Sequence, residues 1–146
     1  MRFIGATAPD RVPDLVMATE AAAALVAPFT VRLSGAGAFP EADRPRILWL
    51  GIVEGAAELG ALAGTLGEQL ADWGWDRDER PFRAHLTLGR ADGVGGAGRT
   101  VAALARAATA LDAAWTVDRL VVYQSDLGHG PVRYRPLATA LLRSDP

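Results

Sequence analysis

Pro81-Phe82-Arg83-Ala84-His85-Leu86-Thr87-Leu88-Gly89-Arg90 is the stretch on which the reading of this chain turns. Residues Arg83 to Arg90 read as a strand, and side chains on a strand alternate between its two faces. His85 and Thr87 therefore point the same way and offer one phosphate both a titratable imidazole and a hydroxyl. A single His-x-Thr is a common accident, and alone it reads as a half-buried strand histidine beside a residue of high β-propensity. Its surroundings carry the rest of the argument.

Working outward, Phe29 to Leu33 and Arg46 to Val53 also read as strands, with the Gly- and Pro-rich stretch 34–45 between them as a loop. Helices are expected over about Asp10 to Ala27, about Ala56 to Trp73 and about Thr100 to Leu111. Asp10 is a fair N-cap for the first, and Pro28 ends it. Trp115 to Asp126 and Val132 to Leu142 read as two closing strands around Gly128-His129-Gly130, and Met1 to Gly5 as the tail of a strand. This order predicts an α+β fold with mainly antiparallel sheets rather than a doubly wound parallel one. It also echoes itself: strand, helix and strand pair occur over 1–5, 10–27 and 29–53, and again over 83–90, 100–111 and 115–142. The expectation is one domain, 1–146, with a first lobe at about 1–53 and a second at about 83–142. The helix at about 56–73 links these lobes around a shared cleft.

At 146 residues, half of them apolar and 22% charged, the chain has the composition of a globular domain. A domain of this size buries roughly 68–70% of its unfolded surface. The net charge of −2 excludes a global basic field for indiscriminate nucleic-acid binding. Any nucleic acid would be held locally, at an end or at one phosphate. With no cysteine there is no disulfide or thiolate metal site, and two histidines, His85 and His129, do not make a histidine-rich one. His129, between glycines, reads as a solvated turn residue. The longest uncharged run, Ala21 to Val31, contains Pro28 and is too short to span a bilayer. A cytoplasmic protein without a membrane segment is the expectation.

The segment 81–90 resembles the second signature of the 2H phosphoesterases, and more narrowly the RNA 2′,3′-cyclic phosphodiesterase family, also called 2′-5′ RNA ligases. Two further blocks are similar to that family in order and spacing. One is Gly37-Ala38-Phe39-Pro40 with Arg44-Pro45-Arg46-Ile47-Leu48-Trp49-Leu50-Gly51; the other is Val121-Val122-Tyr123-Gln124-Ser125-Asp126-Leu127. The resemblance implies a bilobal, pseudo-symmetric fold with helices outside and one His-x-Thr from each lobe. Arg2-Phe3-Ile4-Gly5 is similar to the tail of the family's first motif. Its histidine and threonine would then lie just upstream of Met1, and the first lobe would be incomplete.

The resemblance implies that His85 is a proton acceptor, that Thr87 donates a hydrogen bond to the phosphate, and that Arg90 supports it. Two histidines facing each other across a cleft would serve as base and acid without metal or cofactor, converting a 2′,3′-cyclic phosphate into a 2′-phosphate. An even-numbered Arg90 falls on the face opposite His85, so its role requires a bend or bulge near Gly89. Phe82 and Tyr123 are candidates for stacking on a base, and Phe39 and Trp49 are weaker ones, Trp49 reading as core between two leucines. Arg44 and Arg46 suit phosphate steering and strand-edge solubility equally. The glycine loop at 93–98 does not follow a nucleotide-binding spacing and reads as a connection. The expected partner is an RNA terminus or a small cyclic nucleotide.

With one motif the chain is expected to be an impaired phosphodiesterase. Two alternatives stay open: a non-catalytic module that binds RNA ends or nucleotides, and a structural remnant that needs a partner chain. The complete family fold implies a monomer, and an open sheet edge here would permit self-association.

Overall fold

A computed structural model describes residues 1–91, 95–126, 128 and 130–144. Its helices are α1 (Val12–Ala23), α2 (Ala56–Asp72) and α3 (Gly98–Ala108). Its strands are β1 (Phe29–Phe39), β2 (Ile47–Glu54), β3 (His85–Arg90), β4 (Ala113–Val117), β5 (Arg119–Asp126) and β6 (Arg133–Leu141). Every strand pairing is antiparallel, so the fold class is α+β as expected. Among the described residues no helix is long and apolar enough to cross a membrane.

The chain divides into two units built from interleaved segments, Phe29–Gly60 with Phe82–Val117, and Met1–Pro28 with Ala61–Pro81 and Asp118–Pro146. The lobes expected from the sequence lie instead on consecutive stretches, 1–53 and 83–142. The physical reason is pairing between strands distant in sequence. In the first unit β1 lies between β2 and β4, and β3 is the outer strand beyond β2, giving the order β3-β2-β1-β4. Helix α3 packs on β1. Its buried Val101 and Ala108 recur at helical spacing against fully buried Val31 and buried Leu33.

In the second unit β5 and β6 form a two-stranded sheet. Its core joins Leu15, Ala18, Leu70 and Val122, with Ile4, Leu66, Trp73, Trp75 and Ala138 packed around them. On α1 the buried residues Leu15, Ala18, Thr19, Ala22 and Ala23 make one stripe. The Thr19 hydroxyl closes its own hydrogen bond onto the Leu15 carbonyl at 2.8 Å. Arg11 donates to the Trp73 carbonyl at 2.6 Å and to Asp14 at 2.9 Å, and its guanidinium lies 4.5 Å from the Trp75 ring centroid.

Several boundaries differ from expectation. Asp10 sits in a 3-10 turn, Pro9–Arg11, and caps nothing; α1 starts at Val12 with Pro13 in its first turn and ends at Ala23, short of Ala27. Met1 to Gly5 is not a strand. The expected strand 115–126 is two strands in different sheets, broken at Asp118. There the Arg119 guanidinium donates twice to the Asp118 carboxylate, at 2.7 and 2.8 Å, which holds that carboxyl below its ordinary pKa. The Asp118 carbonyl accepts from the Leu142 backbone N–H at 2.8 Å.

The largest correction is β1, which runs on to Phe39 through what reads as loop. Register shifts on either side of Leu33 absorb the irregularity, and Gly35 takes a φ of 68° within the second. Gly55, at the turn from β2 into α2, has φ 80°. A Cβ there would overlap the Thr30 carbonyl oxygen and come within 2.9 Å of Val31 Cγ2. Gly55→Ala is therefore expected to destabilise the chain by about 1–3 kcal/mol, the usual range for a side chain forced into left-handed backbone. Chemical denaturation measures this, and an unchanged midpoint contradicts it.

Candidate functional site

The register of β3 on β2 decides which side chains share a face. Gly51 lies opposite His85, Leu50 opposite Leu86 and Trp49 opposite Thr87. The pairing then slips, so that Leu48 lies opposite Gly89 and Ile47 opposite Arg90, with Leu88 the extra residue. Directly opposed residues share a face, and Gly51, Trp49 and Ile47 alternate regularly along β2. His85, Thr87 and Arg90 therefore stand on one face. The bulge needed to bring Arg90 round is present one residue before the glycine, at Leu88, and Gly89 does not adopt a positive φ.

The same register puts Gly37 and Phe39 of β1 on this face, opposite Trp49 and Ile47. The other face carries Leu33, Ala36, Ala38, Leu48, Leu50, Ile52 and Leu86. One side of the sheet is thus apolar, and the other gathers a histidine, a threonine and an arginine around aromatic rings.

His85 is half-buried, while Thr87 and Arg90 are exposed. His85 Nδ1 lies 2.7 Å from the Arg83 carbonyl oxygen. A carbonyl only accepts, so Nδ1 carries a proton, and in the neutral ring Nε2 keeps its lone pair. That is the state of a proton acceptor working through Nε2. Phe39 packs edge-on with the imidazole, ring centroids 5.3 Å apart at 82°. Across the strand pair Gly51 presents no side chain, and a Cβ there would lie 2.6 Å from the Ser34 carbonyl oxygen.

Comparison with known proteins gives the family. A family model described as the 2′-5′ RNA ligase superfamily matches residues 3–129. The chain belongs to this superfamily. An RNA 2′,3′-cyclic phosphodiesterase of Geobacillus stearothermophilus is 34% identical over 146 residues, which is 100% of this chain and 45% of that protein. One of Archaeoglobus fulgidus is 44% identical over 63 residues, 43% of this chain and 35% of that protein. The chain spans less than half the length of the curated relatives it matches. Among solved structures, E. coli LigT complexed with 3′-AMP superposes with a TM-score of 0.75 at 26% identity, covering 98% of this chain and 75% of that one.

Against the superfamily pattern of two His-x-Thr motifs, residues 1–146 contain one, because His129 is followed by Gly130-Pro131. Of the other expected residues, Phe82 is exposed just before β3. Tyr123 belongs to the other unit, where it packs edge-on with Tyr134 at 6.3 Å. Trp49 is half-buried on the His85 face rather than a fully buried core residue. Arg44 is exposed in the β1–β2 connection, and Arg46 is exposed just before β2, its backbone N–H donating to the Phe39 carbonyl at 2.7 Å. His129, Leu127 and residues 92–94 of the glycine loop lie outside the described residues.

Sequence reasoning missed the Arg83 carbonyl, the room that Gly37 leaves for Trp49 and the close approach of the Ser34 carbonyl that Gly51 permits. The glycines stand in the blocks that carry the family resemblance, but only the strand register shows what they make room for.

Proposed function

We propose that this chain supplies one half of the acid–base machinery of a cytoplasmic 2′,3′-cyclic phosphodiesterase acting on RNA ends or small cyclic nucleotides. The observation that carries the reading is the bulge at Leu88, which gathers Arg90 with His85 and Thr87 on one face. A cyclic phosphate presents two charged non-bridging oxygens. The Thr87 hydroxyl and the Arg90 guanidinium are suited to hold them and to stabilise the charge that builds in the transition state. His85 Nε2 takes a proton from a water molecule as its oxygen bonds to phosphorus. The bond from phosphorus to the ribose 3′-oxygen breaks, that oxygen receives a proton from an acid on the opposite side, and a 2′-phosphate remains. The names of the curated relatives, RNA 2′,3′-cyclic phosphodiesterases, support this substrate class.

The test is incubation of the chain with 2′,3′-cyclic AMP, with product position read by phosphorus NMR. Slow conversion to 2′-AMP, unaffected by EDTA, is expected. With one His-x-Thr the rate should fall about 10²–10⁴-fold below that of a superfamily member with both motifs, the usual worth of one general acid–base partner. Saturable binding without turnover would instead favour a binding module, and neither binding nor turnover would overturn the reading.

A further inference from the structure

We infer that Phe39 is a positioning residue for His85, itself wedged in place by Trp49 lying over Gly37. This rests on the reading of His85 as proton acceptor and adds what holds the imidazole in its working orientation. The residues form a continuous line across three strands. A Cβ on Gly37 would fall 2.7 Å from Trp49 Cη2, so the indole occupies the space that any other residue at 37 would fill. Phe39 packs on Trp49 with centroids 5.3 Å apart and planes tilted by 33°. Its ring then meets His85 at 5.3 Å, nearly perpendicular.

One further feature ties Phe39 to the imidazole rather than to general packing. The Arg83 guanidinium carbon lies 5.9 Å from the Phe39 centroid, while the Arg83 carbonyl accepts from His85 Nδ1. Phe39 thus touches both the imidazole and the residue that sets its tautomer. Edge-to-face contact fixes a ring's angle as well as its place, which a shapeless aliphatic group does not. A proton acceptor displaced by an ångström or swung off axis loses rate without losing substrate.

The experiment compares Phe39→Leu, which keeps apolar volume and removes the ring, with Phe39→Tyr, which keeps the ring, and with Gly37→Ala, which displaces Trp49. Imidazole nitrogen NMR reads the His85 tautomer, the second histidine being assigned through His129→Gln, and circular dichroism confirms folding. In Phe39→Leu the neutral Nδ1–H form should give way to a mixture of tautomers. In the same variant kcat on 2′,3′-cyclic AMP should drop about tenfold or more at unchanged KM, with Phe39→Tyr restoring both. Folded Gly37→Ala should show the same tautomer mixing. An unaltered His85 tautomer in folded Phe39→Leu overturns the inference. The NMR result judges Phe39 even when the chain fails to turn over the nucleotide, a failure that counts against the phosphodiesterase reading alone.

Discussion

His85→Ala is expected to reduce 2′,3′-cyclic AMP hydrolysis by about 10²–10⁴-fold relative to the unmodified chain, the range for loss of a general base. The fold should survive this change. His85 is half-buried on the outer strand of its sheet, and its imidazole donates to a carbonyl two residues away. A half-buried substitution of this kind, which opens no cavity in the core and strands no buried charge, is expected to cost about 1 kcal/mol. His85→Gln sharpens the comparison, because its amide N–H still donates to the Arg83 carbonyl but offers no basic nitrogen. Equal losses in both variants, with both still folded, assign the rate to proton transfer at Nε2. Full activity in His85→Gln would remove the histidine from the proton-acceptor role and leave it a structural strand residue.

How much of this was legible in the chain depends on whether a residue's meaning is local. The shared face of His85 and Thr87 follows from alternation alone, and the helix expected over about Ala56 to Trp73 matches α2 to within a residue. The segment 34–39 was misread because its glycines act through β2. Gly35 bends β1 through a register shift and Gly37 clears space for Trp49, and neither role is visible until the second strand is alongside. The apolar run 115–126 likewise hides the change of sheet at Asp118, since a strand pattern does not say which partner it will find. Arg90 is the intermediate case. The sequence stated the condition its role had to meet, a bulge, but only the pairing of Leu48 and Ile47 shows where it lies.

That condition makes the second large effect unusually specific. Arg90→Ala is expected to raise KM for 2′,3′-cyclic AMP by about tenfold to a hundredfold, the worth of a hydrogen bond between charged groups at roughly 1.5–3 kcal/mol. The informative comparison is the transposition Gly89→Arg with Arg90→Gly. In a regular strand, position 89 follows 85 and 87 onto the same face, and the moved arginine would serve as well as the original. In the bulged strand, position 89 lies opposite Leu48, on the apolar face. Space is not the obstacle, because a Cβ at Gly89 meets no atom within 4 Å and its backbone has no positive φ. The transposed variant should therefore bind as poorly as Arg90→Ala while keeping the same net charge as the unmodified chain. Retained affinity would show that β3 alternates regularly through Leu88 and would dissolve the cluster on which the proposed phosphate site rests. Lost affinity, with the charge conserved one residue away, would tie binding to the face that the bulge selects rather than to a general attraction between cation and phosphate.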